Sequence, residues 1–343
     1  MLTRAGERLA SWTTLRVGGP AADFVEATTR PALYDAVGAL DDCGTPVLVL
    51  GGGSNLVVAD DGFDGTVVRV ATAGIAVGGD ARGDAEVTVE AGESWEGLVE
   101  LAVNESWVGL EALAGIPGTV GAAPIQNVGA YSQEVAETIA HVHAYDRLER
   151  RHRMFANADC GFGYRTSAFK QGPNRYVIGA VTFAFRRGSL GGPVKYAELA
   201  GRLGVEVGAR VPMADVRAAV VELRRSKGMV LDADDRDTWS AGSFFMNPFV
   251  APADLPAGAP AFGQPDGRVK TSAAWLVERA GFSCGYGSEQ VRVSSKHTLA
   301  LTNRGGASTT GVLALAREIR TGVRVRFGIE LQLEPVLVSC SLD

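Results

Sequence analysis

At 343 residues the chain is longer than one hydrophobic core usually serves, so two or three domains are expected. With 46% hydrophobic and 21% charged residues its composition is that of a globular protein, which excludes a largely disordered chain. Acidic residues outnumber basic ones by 39 to 33, and the net charge of -6 repels a phosphate polymer, which excludes nucleic acid as the natural partner.

The segment Met1 to Gly19 carries Arg4, Arg8 and Arg16 with no apolar run between them, so neither a signal peptide nor an anchor is expected there. No later segment reaches the roughly 20 apolar residues of a membrane span, and the expectation is a cytoplasmic protein without membrane insertion. The first seventy residues alternate a strand Ala22 to Ala27, a helix Pro31 to Cys43, a strand Pro46 to Leu50, and strands at Val57–Val58 and Gly65 to Val70. A second block opens with the strand Val87 to Ala91 and a helix Trp95 to Glu105. It continues through a glycine-rich loop, Gly109 to Gly129, into half-buried strands Thr138 to Tyr145 and Arg175 to Phe185. From Met213 the pattern changes. A helix Asp215 to Lys227 is followed by a proline-rich loop between Ala251 and Pro265. Then come a helix Ser272 to Ala280, strands Gln290 to Val293 and Thr298 to Thr302, a helix Thr309 to Thr321 and a final strand Phe327 to Val338.

The four cysteines, Cys43, Cys160, Cys284 and Cys340, lack the paired spacing of a zinc site or redox couple and read as buried reduced thiols. His141 and His143 alternate as ligands can, but no third ligand accompanies them, so no metal is expected.

Two glycine loops stand out. In the first, the strand ending at Leu50 feeds Gly51-Gly52-Gly53-Ser54-Asn55, where no side chain obstructs the approach of backbone amides to a pyrophosphate. It is not a dinucleotide fingerprint, because the third glycine would fall at Leu56. The second, Gly115 to Ala122, is followed by Gln126 and Asn127, whose amides can hydrogen-bond a ring edge. Each glycine costs chain entropy, so two such loops call for a ligand as well as a turn. An elongated molecule with a pyrophosphate and a heteroaromatic ring fits both.

After Leu50 to Asn55 and Gly115 to Tyr131, four further stretches complete a pattern along the chain: Cys160-Gly161-Phe162-Gly163-Tyr164-Arg165-Thr166-Ser167, Ala241-Gly242-Ser243-Phe244-Phe245-Met246-Asn247-Pro248, Lys296-His297 and Leu333-Glu334-Pro335. In this order the chain resembles the UDP-N-acetylenolpyruvoylglucosamine reductase family, the UDP-N-acetylmuramate dehydrogenases, in its longer form with a tyrosine loop. The resemblance implies an α+β fold, with a two-lobed FAD-binding domain of the p-cresol methylhydroxylase and vanillyl-alcohol-oxidase type and a smaller α/β substrate-binding domain. It implies FAD-binding segments at 1–70 and 71–212, a UDP-sugar segment at 213–322, and a C-terminal strand, 323–343, returning to the FAD-binding part.

It further implies that FAD is held by Gly51, Gly52, Gly53, Ser54, Asn55 and Leu56 of the first loop. The second loop would contribute Gly115, Gly118, Thr119, Gly121, Ala122, Gln126, Asn127, Gly129 and Ala130. Arg165, Ser243 and Glu334 fall at the family's catalytic positions, and Tyr196, Lys227 and Asn247 where it contacts the UDP-sugar. NADPH would reduce the flavin, leave, and be replaced by the enolpyruvyl sugar, since nothing resembles a separate NADPH domain; a monomer is expected. Thr13 stands where many members of the family have asparagine, and Met246 where lysine is common.

The chemistry agrees with these residue types. Hydride addition to an enolpyruvyl group leaves an enolate, and the guanidinium of Arg165 offers a fork of donors to its two oxygens. Ser243 is a weak acid and as readily a turn residue, so its role as proton donor rests on the family pattern. Glu334 sits among apolar residues that would raise its proton affinity, but Glu330 shares its face and spacing alone does not choose between them. Lys227 reads equally as a helix-end charge or a phosphate contact.

Two rivals remain. A sugar oxidase on the same scaffold would tether FAD through histidine or cysteine, yet no histidine precedes His141 and Cys43 lies before the glycine turn, so non-covalent FAD is expected. A non-catalytic nucleotide-sugar binder would be colourless.

Overall fold

The structure, a computed structural model, describes residues 3–79, 84–172 and 174–343; Met1 and Leu2 of the N-terminal segment lie outside the described residues. The fold is α+β, and the chain divides into two compact units that interleave in sequence. The first comprises Met1–Glu7, Ala21–Gly52 and Asp64–Arg225, and the second Arg8–Pro20, Gly53–Phe63 and Ser226–Asp343.

In the first unit a four-stranded sheet runs in the order Thr3–Ala5, Ala21–Ala27, Phe63–Val70, Val47–Leu50. Val47–Leu50 pairs in parallel with Phe63–Val70, and the helix Arg30–Asp42 links Ala21–Ala27 to Val47–Leu50. Thr29 caps that helix by accepting from the Ala32 N–H, and Leu33, Tyr34 and Val37 form its buried stripe. A larger sheet orders Arg151–Ala156, Ile139–Asp146, Tyr176–Arg187, Ala85–Glu90 and Ile75–Gly79. One core joins the two sheets, with Trp95, Trp107, Phe183 and Phe185 at most 2% exposed.

The expected helix after Met213 spans Met213–Ser226. Its buried face, Val216, Ala219 and Val220, packs into this first core, so the unit boundary follows Arg225 and not residue 212. The strands Ile75–Gly79 and Arg151–Ala156, absent from the sequence reading, are the two edges of the larger sheet. Ile75–Gly79 is exposed throughout, and charge on Arg151–Ala156 hides its alternation.

The second unit has its own core around Phe244, Phe245, Leu276, Val277 and the helix Thr309–Phe327. That helix runs past the expected end at Thr321. Val312, Ala316, Ile319 and Val323 continue one stripe through the β-branched stretch, and Gly328, at φ 70°, ends it. The expected final strand Phe327 to Val338 is therefore reduced to Val336–Val338, paired in parallel with Leu56–Val58. The proline-rich stretch is partly structured, with Phe249–Val250, Val269–Lys270 and Phe262–Gly263 forming a small sheet. No helix among the described residues is long and apolar enough to cross a membrane.

Candidate active site

In the first unit the two glycine loops meet. A Cβ at Gly52 would stand 2.7 Å from the Gly118 Cα, and one at Gly51 would stand 2.7 Å from Thr119 Oγ1 and 3.7 Å from the Ala122 Cβ. Gly121 lies equally flush on Ala91, at 2.5 Å. The glycines let two backbones touch where any side chain would hold them apart, and Gly115 and Gly118 adopt φ of 71° and 132°, a region side chains disfavour. A side-chain-poor surface at the end of the strand Val47–Leu50, built from two loops, fits the pyrophosphate of a dinucleotide. Glu96 anchors the second loop: one carboxylate oxygen accepts from the Gly115 N–H at 2.5 Å and the other from Arg217 at 2.6 Å.

Beyond this loop the backbone is strained. Asn127, Tyr131, Ser132 and Arg165 all have left-handed φ, between 47° and 64°, and such residues gather at functional sites. Tyr131 and Ser132 form the two-residue turn between Gly129–Ala130 and Gln133–Glu134. Asn127 is 1% exposed and its amide is consumed internally, donating to Glu134 at 2.7 Å and the Gly163 carbonyl at 3.1 Å and accepting from Ala136. Gln126 is exposed.

Arg165 occupies the third position of the tight turn Gly163 to Thr166, closed by reciprocal backbone bonds of 3.1 and 3.2 Å, with φ 54°. Glycine is the usual residue there. Its Nη2 donates to the Gly129 carbonyl at 2.8 Å, which fixes the guanidinium beside the second glycine loop. Arg224, absent from the sequence-based site, belongs to the same neighbourhood. Burial lowers its pKa to about 10, Tyr131 and Glu96 act to raise it, and the charge of Arg165 lowers it further. Burial pushes the Tyr131 phenol up to about 12. The Tyr131 ring meets the exposed Tyr196 ring edge to face, with centroids 5.4 Å apart.

The second unit assembles Ser243, Glu334 and Asn55. Glu334 donates its N–H to the Phe244 carbonyl at 3.0 Å, and the Met246 N–H reaches the Gln332 carbonyl at 2.9 Å, so the Ser243 and Glu334 segments lie side by side. Asn55 joins them: its Nδ2 donates to the Glu334 carbonyl at 3.3 Å and its own carbonyl accepts from Val336 at 2.9 Å. Gly53, at φ 62°, lies flush on Trp12, and the Ser54 carbonyl accepts from Thr14. Phe244 and Phe245 are buried, and Ser243 pairs with Ala300 in an antiparallel bridge. Glu330 separates from Glu334 here, being exposed and ion-paired with Arg320 at 3.3 Å. The Asn247 Oδ1 accepts from the Ala273 N–H at the start of the helix Ala273–Arg279, and Lys227, half-buried, follows directly on the helix Met213–Ser226. Thr13 is buried and bonds the Val17 carbonyl, and Met246 is half-buried.

Other expectations meet mixed outcomes. Of the cysteines only Cys160 is buried, and its thiol is pushed up to about 12 by burial; Cys340 is half-buried, and Cys43 and Cys284 are exposed because each lies at the surface just past or between elements. His143 bonds Thr182 at 2.9 Å. Among the described residues no group of three or more His, Cys, Asp or Glu is placed to hold a metal.

Comparison with known proteins joins the two halves. A family model described as FAD binding domain matches residues 21–149, and one described as UDP-N-acetylenolpyruvoylglucosamine reductase, C-terminal domain, matches 234–338. The UDP-N-acetylenolpyruvoylglucosamine reductase of Cutibacterium acnes is 53% identical over 337 residues, covering 97% of this chain and 90% of that protein. That of Thermobifida fusca is 52% identical, covering 97% of each. The crystal structure of UDP-N-acetylenolpyruvylglucosamine reductase from Thermus caldophilus superposes with a TM-score of 0.67 at 26% identity, over 98% of this chain and 100% of that one. With relatives this similar over nearly their whole length, and with an FAD-binding domain where the glycine loops meet, the chain belongs to the UDP-N-acetylenolpyruvoylglucosamine reductase family.

Proposed function

We propose that this chain reduces the enolpyruvyl ether of UDP-N-acetyl-enolpyruvoylglucosamine to UDP-N-acetylmuramate, with NADPH as electron donor and FAD as non-covalent cofactor, in the cytoplasm and as a monomer. The step belongs to peptidoglycan synthesis. The observation that carries this reading is Arg165, an arginine held at a glycine-type turn position with its guanidinium fixed on the second glycine loop.

The flavin, when bound to Gly51 to Leu56 and the Gly115 to Ala130 loop, supplies hydride from N5 to the terminal carbon of the enolpyruvyl group. The protein's part is to manage charge and a proton. Negative charge develops on the adjacent carbon and spreads into the substrate carboxylate; Arg165 meets it with two parallel donors. Ser243 gives the proton to the central carbon, and Glu334 stabilises the enol or shares its proton. Tyr196, Lys227 and Asn247 hold the UDP-sugar. The segments 1–70 and 71–212 serve FAD, 213–322 the UDP-sugar, and 323–343 completes the FAD-binding part, although residues 213–225 pack in the first unit.

Replacing Ser243 with alanine tests the assignment. Bleaching of the flavin by NADPH is expected to stay as fast as in the wild type, while recolouring by the enolpyruvyl sugar slows by roughly 10²–10⁴-fold. Loss of bleaching instead would show that Ser243 is not the proton donor. A purified chain that is colourless and takes up no flavin would overturn the whole reading.

A further inference from the structure

Glu111 is a carboxyl group in an unusual place. It is 2% exposed, and no arginine or lysine among the described residues pairs with it. Its Oε2 accepts from the Gly109 N–H at 2.7 Å, and its Oε1 accepts from the Gly192 N–H at 2.7 Å and from Gln133 Nε2 at 3.3 Å. Enclosing a carboxylate among neutral donors is costly. The three donors belong to three different stretches, and each leads to a residue of the site.

Gly109 opens the glycine-rich stretch that leads into the second glycine loop. Gln133, whose Oε1 accepts from the Ala112 N–H at 2.9 Å, begins the strand beyond the turn that carries Tyr131. Gly192 lies in the segment leading to Tyr196, and this segment rests on the carboxyl so closely that a Cβ at Gly191 would be 2.8 Å from Glu111 Oε1. The two arms bring the Tyr131 and Tyr196 rings edge to face at 5.4 Å. The carboxyl is thus a common point on which the Tyr196 segment and the Tyr131 turn both bear.

We propose that Glu111 is a positioning residue: it pins the Tyr196 segment to the Tyr131 turn so that the tyrosine pair is preformed for the nucleotide sugar. The assignment rests on the reading that Tyr196 contacts the UDP-sugar. Preorganisation of this kind acts on binding, because a segment already ordered loses less freedom when the ligand arrives. In Glu111→Gln the NH2 group must face the N–H of Gly109 or of Gly192, and even where the Gly192 and Gln133 arms are kept they end on a neutral amide oxygen and hold more weakly, while the volume is kept.

The test is a double-mutant cycle on the FAD-loaded enzyme with Glu111→Gln, Tyr196→Ala and both together. Glu111→Gln is expected to raise KM for the enolpyruvyl sugar about tenfold, the equivalent of one hydrogen bond, with kcat and the rate of flavin reduction by NADPH nearly unchanged. Equilibrium titration of the oxidised flavin spectrum with the product UDP-N-acetylmuramate is expected to weaken by the same factor. In the Tyr196→Ala background the Glu111 effect is expected to vanish. Additive effects, or an unchanged KM in Glu111→Gln, would overturn the assignment of Glu111 alone. A wild-type enzyme that leaves the enolpyruvyl sugar unaltered would instead overturn the functional reading and the role of Tyr196 with it. Should Glu111→Gln not fold, Gln133→Met removes the Gln133 arm, together with the bond from the Ala112 N–H, at similar volume and carries the same cycle.

Discussion

Replacing Arg165 with glycine and with alanine separates what the residue costs from what it does. Its φ of 54° places an L-residue in the left-handed region, at about 1–2 kcal/mol. Alanine keeps that strain and glycine relieves it. Glycine in turn loses about 0.5–1 kcal/mol more chain entropy on folding than alanine. Both variants lose the same bond to the Gly129 carbonyl, so that contribution cancels in the comparison. The balance makes Arg165→Gly more stable than Arg165→Ala by roughly 0.5–1 kcal/mol, the reverse of the ordinary order of these two residues. Urea melts at saturating FAD measure the difference as a shift in midpoint at constant slope. Turnover of the enolpyruvyl sugar is expected to fall by about 100-fold or more in both. An alanine variant as stable as the glycine one would refute the strain argument. A glycine variant that kept its turnover would refute the role of the guanidinium.

Gly52→Ala places a methyl 2.7 Å from the Gly118 Cα, backbone that cannot turn aside, so the variant is expected to purify with little flavin; visible absorbance at full wild-type strength would show that the loops do not need their contact. Asp146 is held at a pKa of about 2, first by its hydrogen bonds from Arg175 and despite its burial. A lowered carboxyl pKa stabilises the fold above the ordinary carboxylate range and loses that contribution as pH falls toward 2. Asp146→Asn is therefore expected to melt several degrees below the wild type at pH 7, and thermal melts down to pH 3 should show the gap narrowing; a constant gap would refute the linkage.

The strongly periodic elements were legible in the sequence, because a buried stripe or a two-residue alternation leaves its mark wherever one face is apolar. Edge strands were not, since Ile75–Gly79 has no buried face to mark. The glycine loops were visible as composition, but their contact was not: nothing in local spacing says that Gly52 meets Gly118. Glu330 and Glu334 could not be told apart by period; the structure separates them by the exposure of Glu330 and its ion pair with Arg320. Arg224 was overlooked inside a basic run, yet a signal existed, for it continues the buried stripe of Val216 and Val220 at intervals of four. Glu111 carries no mark in the sequence, because two of its donors, Gly192 and Gln133, are too distant for any local pattern to announce them.

The parallel pairing of Leu56–Val58 with Val336–Val338 joins early and late parts of the chain, and it bears on how a ribosome must deliver this protein. The long stretch Asp64–Arg225 of the first unit emerges as one piece and can begin to fold at once. The second unit has to wait: its early pieces, Arg8–Pro20 and Gly53–Phe63, leave the exit tunnel well before their partners exist. At about 5–20 residues per second, the hundred-odd residues beyond Ser226 take on the order of ten seconds to appear. During that interval Val57 and Val58, fully buried in the finished molecule, have no strand to lie against, which makes the nascent chain a natural client for a chaperone until its last strand is made.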